Sequence, residues 1–596
     1  MSVEGDSNTI SSLERIAREQ AIDQLRRRNG LMKTLGSENG EPKLDWVEGV
    51  ARLLQEEHLL EEVETDAQAI HRRGVRHLIW TGMGGSVITV HVLCAMGFAA
   101  AGDLTLYPLD STDPAALNHI LETIARQKNL TPPFHDAATL HTLLEDVMMV
   151  GVSMGMTSEE PITHLTWFVE LLQQAQLTPS EHIQVMTLPG SFLDQFAQQQ
   201  EAPRRPLQPD GGTGTGGRMS APTTRVFLLP VALYLTYTHS SSSLRSILAD
   251  AWRHHKLDLA QESPDKHPFV QLAATLSDAS QNGACRLLLE VTEEWKPLLI
   301  WIEQLMEESL GKGGKGIIVF DEQPLNPQGP CFATEGIVHV RMTADEKAET
   351  SPTFQLCLPY LATRTPEQRL SALAACFLGW QLTMSLYGYL QQITFAGQPA
   401  VENYKARARQ LRSLSDPLEE IQNWKPTLRY EQLRLLTPAF IEPQETPAAT
   451  FVHALRQKAY ASPQELDYLD VTINGFLPEN TWLSISAAAH KAGNMLLGIP
   501  AKVRQAPAAY HSTEQSEMDG PDTFVSLRIL IRDHESVIAG AYTDAFLRAQ
   551  AIGTWQAMLE QKRLCFLLII DGSLQDASAP LEHFFEQTIQ LLQPGE

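Results

Sequence analysis

Four short apolar runs, "HLIWTG" (77–82), "LTLYPLD" (104–110), "DVMMVGVS" (146–153) and "IQVMTLP" (183–189), constrain the fold more than anything else in the chain. Each has the length of one strand, and helix-length segments separate them. That alternation predicts βαβ units on a mostly parallel sheet. The rhythm returns in "RLLLEV" (286–291), "GIIVF" (316–320), "IVHVRM" (337–342) and "FQLCLP" (354–359). It returns again in "LDVTINGF" (469–476), "FVSLRILI" (524–531) and "CFLLIID" (565–571). A chain of 596 residues is too long for one core, so several domains are expected. The reading is an N-terminal helical segment (1–73), a first α/β domain (74–217), a second (218–436) and a C-terminal α/β region (437–596). The polar, Gly- and Pro-rich stretch "QQQEAPRRPLQPDGGTGTGG" (198–217) and a Pro-rich stretch near 437–448 mark the junctions.

Charge narrows the partners. With 71 acidic and 46 basic residues the net charge is −25, a surface that repels nucleic acid and anionic membranes. A phosphorylated ligand would need local cations and helix N-termini. The six cysteines form no C-x-x-C pair, which is read as reduced core thiols in a cytoplasmic protein. No signal peptide is visible. The apolar stretch 370–390 carries Gln381 and is read as a buried helix, started by Thr365, Pro366 and Gln368 as a capping box.

In an open parallel sheet, ligands bind beyond the carboxyl ends of the strands. Three polar loops fall there in the first domain: "TGMGGS" with Gly82, Gly84, Gly85 and Ser86, "DST" (110–112), and "SMGMTSEEP" with Ser153, Thr157 and Ser158. Glycines admit close backbone approach, and hydroxyls with a helix N-terminus suit phosphate oxygens. The alternative is that the hydroxyls simply cap helices. A dinucleotide fingerprint is disfavoured, because Val87 stands where its last glycine belongs. "GKGGKG" (311–316) lacks the spacing and hydroxyl of a P-loop.

Taken in order, these pieces resemble the glucose-6-phosphate isomerase family, built on paired sugar-isomerase (SIS) domains. Within it they look like the isomerase half of transaldolase/isomerase fusion proteins. "GMGGS", "LDST" and "SMGMTSEEP" match the family's first loops, "GGRMS" (216–220) its Gly-Gly-Arg motif, "EESLGK" (307–312) its Glu-Ser-x-Gly-Lys motif, and "GQPAVENYK" (397–405) its Gln-Pro-x-Val-Glu-x-x-Lys motif. "YHSTEQ" (510–515) and "YTDAFLRAQAIGTWQAML" (542–559) echo the C-terminal region of the fusions. The resemblance implies two doubly wound SIS-type sheets plus the C-terminal region, and hexose 6-phosphate isomerisation through an enediol. It implies no metal or cofactor. It makes Glu308 the base, Arg218 the cation for the enediolate and Lys405 a group near the ring oxygen. Gly84, Gly85, Ser86, Ser153, Thr157 and Ser158 would bind substrate and its phosphate. A homodimer is also compatible with it.

The departures are specific. Met154 replaces a lysine of the phosphate loop, Gly155 a hydroxyl residue and Pro161 the final threonine. The segment "AETSPT" (348–353) lacks the family's ring-opening histidine, for which His339 and His511 are the substitutes by context. The alternative reading is therefore a non-catalytic sugar-phosphate-binding protein with a decayed site.

Overall fold

All eleven apolar runs form strands in a computed structural model that describes residues 11–343, 352–414, 416–461, 465–531, 538–571 and 574–593. The first sheet contains β1 (His77–Thr81), β2 (Ala100–Ala101), β3 (Leu104–Leu109), β4 (Val147–Ser153), β5 (Ile183–Thr187) and β6 (Arg204–Arg205), in spatial order β2-β3-β1-β4-β5-β6. Only the β2–β3 pair is antiparallel. β1 and β4 are buried at every position, which is why they read as unbroken apolar runs. Register places Thr81 opposite both Leu109 and Gly151, so the three polar loops leave the sheet at one edge.

The second sheet is fully parallel, in order β8 (Ile318–Asp321), β7 (Arg286–Val291), β9 (Ile337–Thr343) and β10 (Phe354–Cys357). The third contains β11 (Thr427–Tyr430), β12 (Leu433–Leu436), β13 (Tyr468–Asn474), β14 (Ala501–Ala506), β15 (Phe524–Ile531) and β16 (Cys565–Ile570). Its order is β11-β12-β16-β15-β13-β14, parallel from β16 to β14 and antiparallel at the β11–β12 edge.

One core joins the N-terminal helices, one face of the first sheet and the second sheet, while the third sheet has a core of its own. The long apolar helix is the spine of the first core. It spans Pro366–Gln391, begins with the expected Thr365–Gln368 capping box, and its most apolar stretch is 89% buried inside the protein. The six cysteines are free thiols. The 198–217 stretch is a loop, yet it is pinned: Asp66 accepts from Arg205 at 2.9 Å, and Asp45 accepts from the Gly214 amide at 3.2 Å. The C-terminal region docks on both other sheets. Tyr542 donates to Asn118 at 2.7 Å, the Phe476 amide donates to Asp113 at 2.6 Å, and Lys502 pairs with Glu303 at 2.6 Å.

Candidate active site

Four helices deliver many of the polar groups: α1 (Glu160–Gln174), packed on β4, α2 (Leu299–Leu310), packed on β8, and α3 (Pro399–Arg412) and α4 (Ala545–Glu560), packed on one another. Arg218 and His511 come from short turns between elements. Near the C-terminal end of α2, Glu308 is 6% exposed and pairs with Arg218, 5% exposed, at 2.9 Å. A carboxylate at that end opposes the helix dipole, so a partner must offset it. Arg218 does so and is itself fixed on every side. Its Nε donates to the Ser309 hydroxyl at 2.7 Å, and its Nη2 donates to the Phe395 and Gly397 carbonyls at 2.8 Å each. The other Glu308 oxygen accepts from Gln304 at 2.9 Å, one helical turn back. Glu307, next in sequence, points elsewhere. It accepts from the Val319 amide at 2.8 Å and pairs with Lys502 of β14. Burial pushes Glu307 up to about 7 against the pull of Lys502.

The first glycine loop is close-packed. Gly84 has φ +53°, and a Cβ there would lie 2.7 Å from both the Gln304 amide nitrogen and the His511 carbonyl. At Gly85 it would lie 2.1 Å from the Gly217 carbonyl. These glycines therefore let the loop meet the Arg218 segment backbone to backbone, and Ser220 ties the two by donating to the Gly85 carbonyl at 3.1 Å. Gly84, Gly85 and Ser86 are buried rather than spread open around a ligand. Gly85→Ala is expected to lower stability by about 1–3 kcal/mol in denaturant unfolding, because backbone has to move.

The third loop divides its hydroxyls. Ser153, 2% exposed, donates to the Gly155 carbonyl at 3.0 Å and accepts from the Gly155 amide at 3.2 Å. It holds the turn through both bonds. Thr157 and Ser158 line a cleft with Glu160, Lys405, Arg409 and Gln550. Neither caps α1, whose N-cap is Glu159 without a side-chain bond. Lys405 sits on α3, 3.0 Å from Glu402, and reaches this cleft rather than the Glu308–Arg218 pair. Met154 packs against the large apolar core, so the loop's missing cation is replaced by an apolar anchor.

His511 joins the two halves. Its carbonyl accepts from Gln304 at 2.9 Å, and its Nε2 lies 2.9 Å from Glu160 Oε1. Burial would push the Glu160 carboxyl up, but the His511 charge and hydrogen bond outweigh it and hold Glu160 at about 2. The stabilisation from this depressed group is complete above the ordinary carboxylate value of 4.5 and is lost as pH falls through about 2. Melting temperatures of the parent should accordingly drop between those values, and Glu160→Gln should flatten that part of the curve. Beneath the loops, burial pushes His164 down to about 4. Its Nε2 donates to the Ser111 carbonyl at 2.8 Å, and its Nδ1 faces the Thr81 hydroxyl.

His339 is not part of this cluster. It sits on β9 between Glu290 at 3.3 Å and Glu322 at 3.4 Å, with Arg341 also on Glu290. In the parallel pairing of β9 with β7, His339 stands opposite Leu288, with Glu290 two residues further along β7. Residues 348–351 of the segment where a histidine was sought lie outside the described residues. Sequence reading did not assign Glu160, Gln304 or Gln550 a place in the site. Gln304 carried a usable signal, its i−4 spacing from Glu308 on one helix face.

No family model matches the chain. Glucose-6-phosphate isomerase of a Synechococcus species is 26% identical over 266 residues, covering 42% of this chain and 44% of that protein. The enzyme of Rubrobacter xylanophilus is 26% identical over 273 residues, covering 44% and 56%. The crystal structure of a glucose-6-phosphate isomerase from Chlamydia trachomatis superposes with a TM-score of 0.50 at 14% identity, over 69% of this chain and 87% of that one. Over the matched region the chain is divergently similar to the glucose-6-phosphate isomerases. Over the region superposed on the Chlamydia trachomatis structure the two chains share a fold of mostly parallel α/β sheets. The matched region spans about half the length of the curated glucose-6-phosphate isomerases.

Proposed function

We propose that the chain is an aldose–ketose isomerase interconverting glucose 6-phosphate and fructose 6-phosphate through an enediol. The observation that carries this is the buried Glu308–Arg218 pair, at 2.9 Å, where the glycine loop meets the His511 turn. Moving a proton between C2 and C1 needs one base beside both carbons and one fixed positive charge for the oxygen that becomes an enediolate. Glu308 takes the proton from one carbon and returns it to the other. Arg218, which cannot deprotonate and is anchored by Ser309 and two carbonyls, stabilises the oxyanion. The phosphate lies at Thr157, Ser158 and Lys405, and the His511–Glu160 pair between the two ends handles the proton of the ring oxygen.

Fructose 6-phosphate incubated with the protein in heavy water tests this. Glucose 6-phosphate carrying deuterium at C2 is the expected product. No product and no exchange above a protein-free blank would overturn the reading. A second reading, a sugar-phosphate binder without turnover, is favoured by Met154 in the phosphate loop and by Glu308 having both oxygens already hydrogen-bonded. A raised melting temperature with glucose 6-phosphate, combined with no deuterium exchange, would select it.

A further inference from the structure

We propose that Gln550 is a positioning residue that fixes, through Glu160, which ring nitrogen of His511 carries the hydrogen. Gln550 projects from α4 of the C-terminal region and is 1% exposed. Both ends of its amide are used across the domain boundary. Its Oε1 accepts from the Thr112 hydroxyl at 2.8 Å, and its Nε2 donates to Glu160 Oε1 at 2.9 Å. The same Glu160 oxygen meets His511 Nε2 at 2.9 Å.

This chain of groups has one allowed direction. An ionised carboxylate only accepts, so both atoms facing Glu160 Oε1 are donors. One is the Gln550 NH2, and its carbonyl must then face a donor, which Thr112 provides. The other is Nε2–H of His511, and the hydrogen bond at one ring nitrogen sets the role of the other. Nδ1 is left as the nitrogen that exchanges a proton with a ligand. A leucine would fill the volume of Gln550 on the buried face of α4, beside Phe546, Leu547 and Ala551. A glutamine with both ends paired specifies polarity instead. Around the pair stand Lys405 and Tyr404 of α3, His164 of α1 and Gln304 of α2. Lys405 and His164 act on Glu160 through space, the Tyr404 ring lies 6.4 Å from that of His511, and Gln304 holds the His511 carbonyl.

The proposal rests on His511 serving the site described above, and its first readout is independent of turnover. Nitrogen NMR of the histidines in the intact chain should show His511 of the parent protonated at Nε2 and bare at Nδ1 when neutral. Gln550→Glu adds a second carboxyl and Gln550→Leu removes a donor from Glu160. Each increases the proton affinity facing His511, so its titration midpoint should move upward relative to the parent, further for Gln550→Glu. The pH–rate profile should move in the same direction, with kcat/KM lower by roughly tenfold, the order of one hydrogen bond to a charged group. A bare Nε2 in the parent, or an unmoved His511 midpoint in both variants, overturns the assignment and leaves Gln550 a packing residue. Absence of turnover in the parent with the midpoint shifts present would sink the proposed reaction and leave Gln550's role standing.

Discussion

Glu308→Gln is expected to cut interconversion of fructose 6-phosphate and glucose 6-phosphate by roughly 10²–10⁴-fold, the range a positioned general base supplies. Glutamine keeps the shape but neither the charge nor two acceptors. Its amide nitrogen would face the Gln304 amide nitrogen, now 2.9 Å from Glu308 Oε2, or displace Arg218. A second effect runs in parallel. Arg218 is 5% exposed, and stripping a buried cation of its partner costs about 3–5 kcal/mol. Melting temperature must therefore be measured on the same samples, so that lost activity is counted only on folded protein. Glu307→Gln is the control. Glu307 answers to Lys502 and the Val319 amide, so its loss should shift stability and leave deuterium exchange at the parental rate. Exchange retained in Glu308→Gln and lost in Glu307→Gln would exchange their roles.

Strands buried on both faces were legible because period and composition agree there. "CFLLIID" and "FVSLRILI" could be little else. Most strands that escaped lie at sheet edges, where polar residues break the run, whereas β12, "LRLL", is interior and buried but only four residues long. β14, "AKVRQA", carries two cations whose partners, Glu303, Glu307, Asp470 and Glu517, come from other elements. The same distinction runs through the site. Glu308 and Arg218 could be picked out by the order of short motifs, and the structure brings them into contact. Ser153 was indistinguishable from Thr157 and Ser158 in the sequence, because one hydroxyl turned onto its own loop looks the same there as one turned outward. Glu160 and Gln550 are 390 positions apart, and nothing local in either segment announces the other. The one local trace was Gln550 itself, a buried polar side chain in the turn "LRAQAIG", which helical packing alone does not require.

Arg528→Met is expected to destabilise the chain by about 3–5 kcal/mol in denaturant unfolding and to remove activity with it. Arg528, on β15, donates to both oxygens of Glu514 at 2.9 Å and to Glu517 at 3.1 Å, and all three side chains are buried. Arg504 bonds Glu517 and Asp470 on the other side. Three carboxyls face two guanidiniums, so the network is near neutral when one proton is shared within it. Burial pushes Glu514 up, while the two arginines hold Glu517 down against the same burial. Methionine would leave Glu514 and Glu517 facing one another with half the compensation. The Arg528 guanidinium also lies 5.1 Å over the Tyr510 ring, next to His511, so the turn that reaches Glu160 loses its support as well. The pH dependence follows from the raised group. Stability from protonated Glu514 is complete below the ordinary carboxylate range and is lost as pH rises through its elevated value. Glu514→Gln should remove that alkaline decline while retaining most of the parental stability at neutral pH. An Arg528→Met variant within about 1 kcal/mol of the parent, the worth of an exposed ion pair, would mean that the network is hydrated and that His511 is held by packing alone.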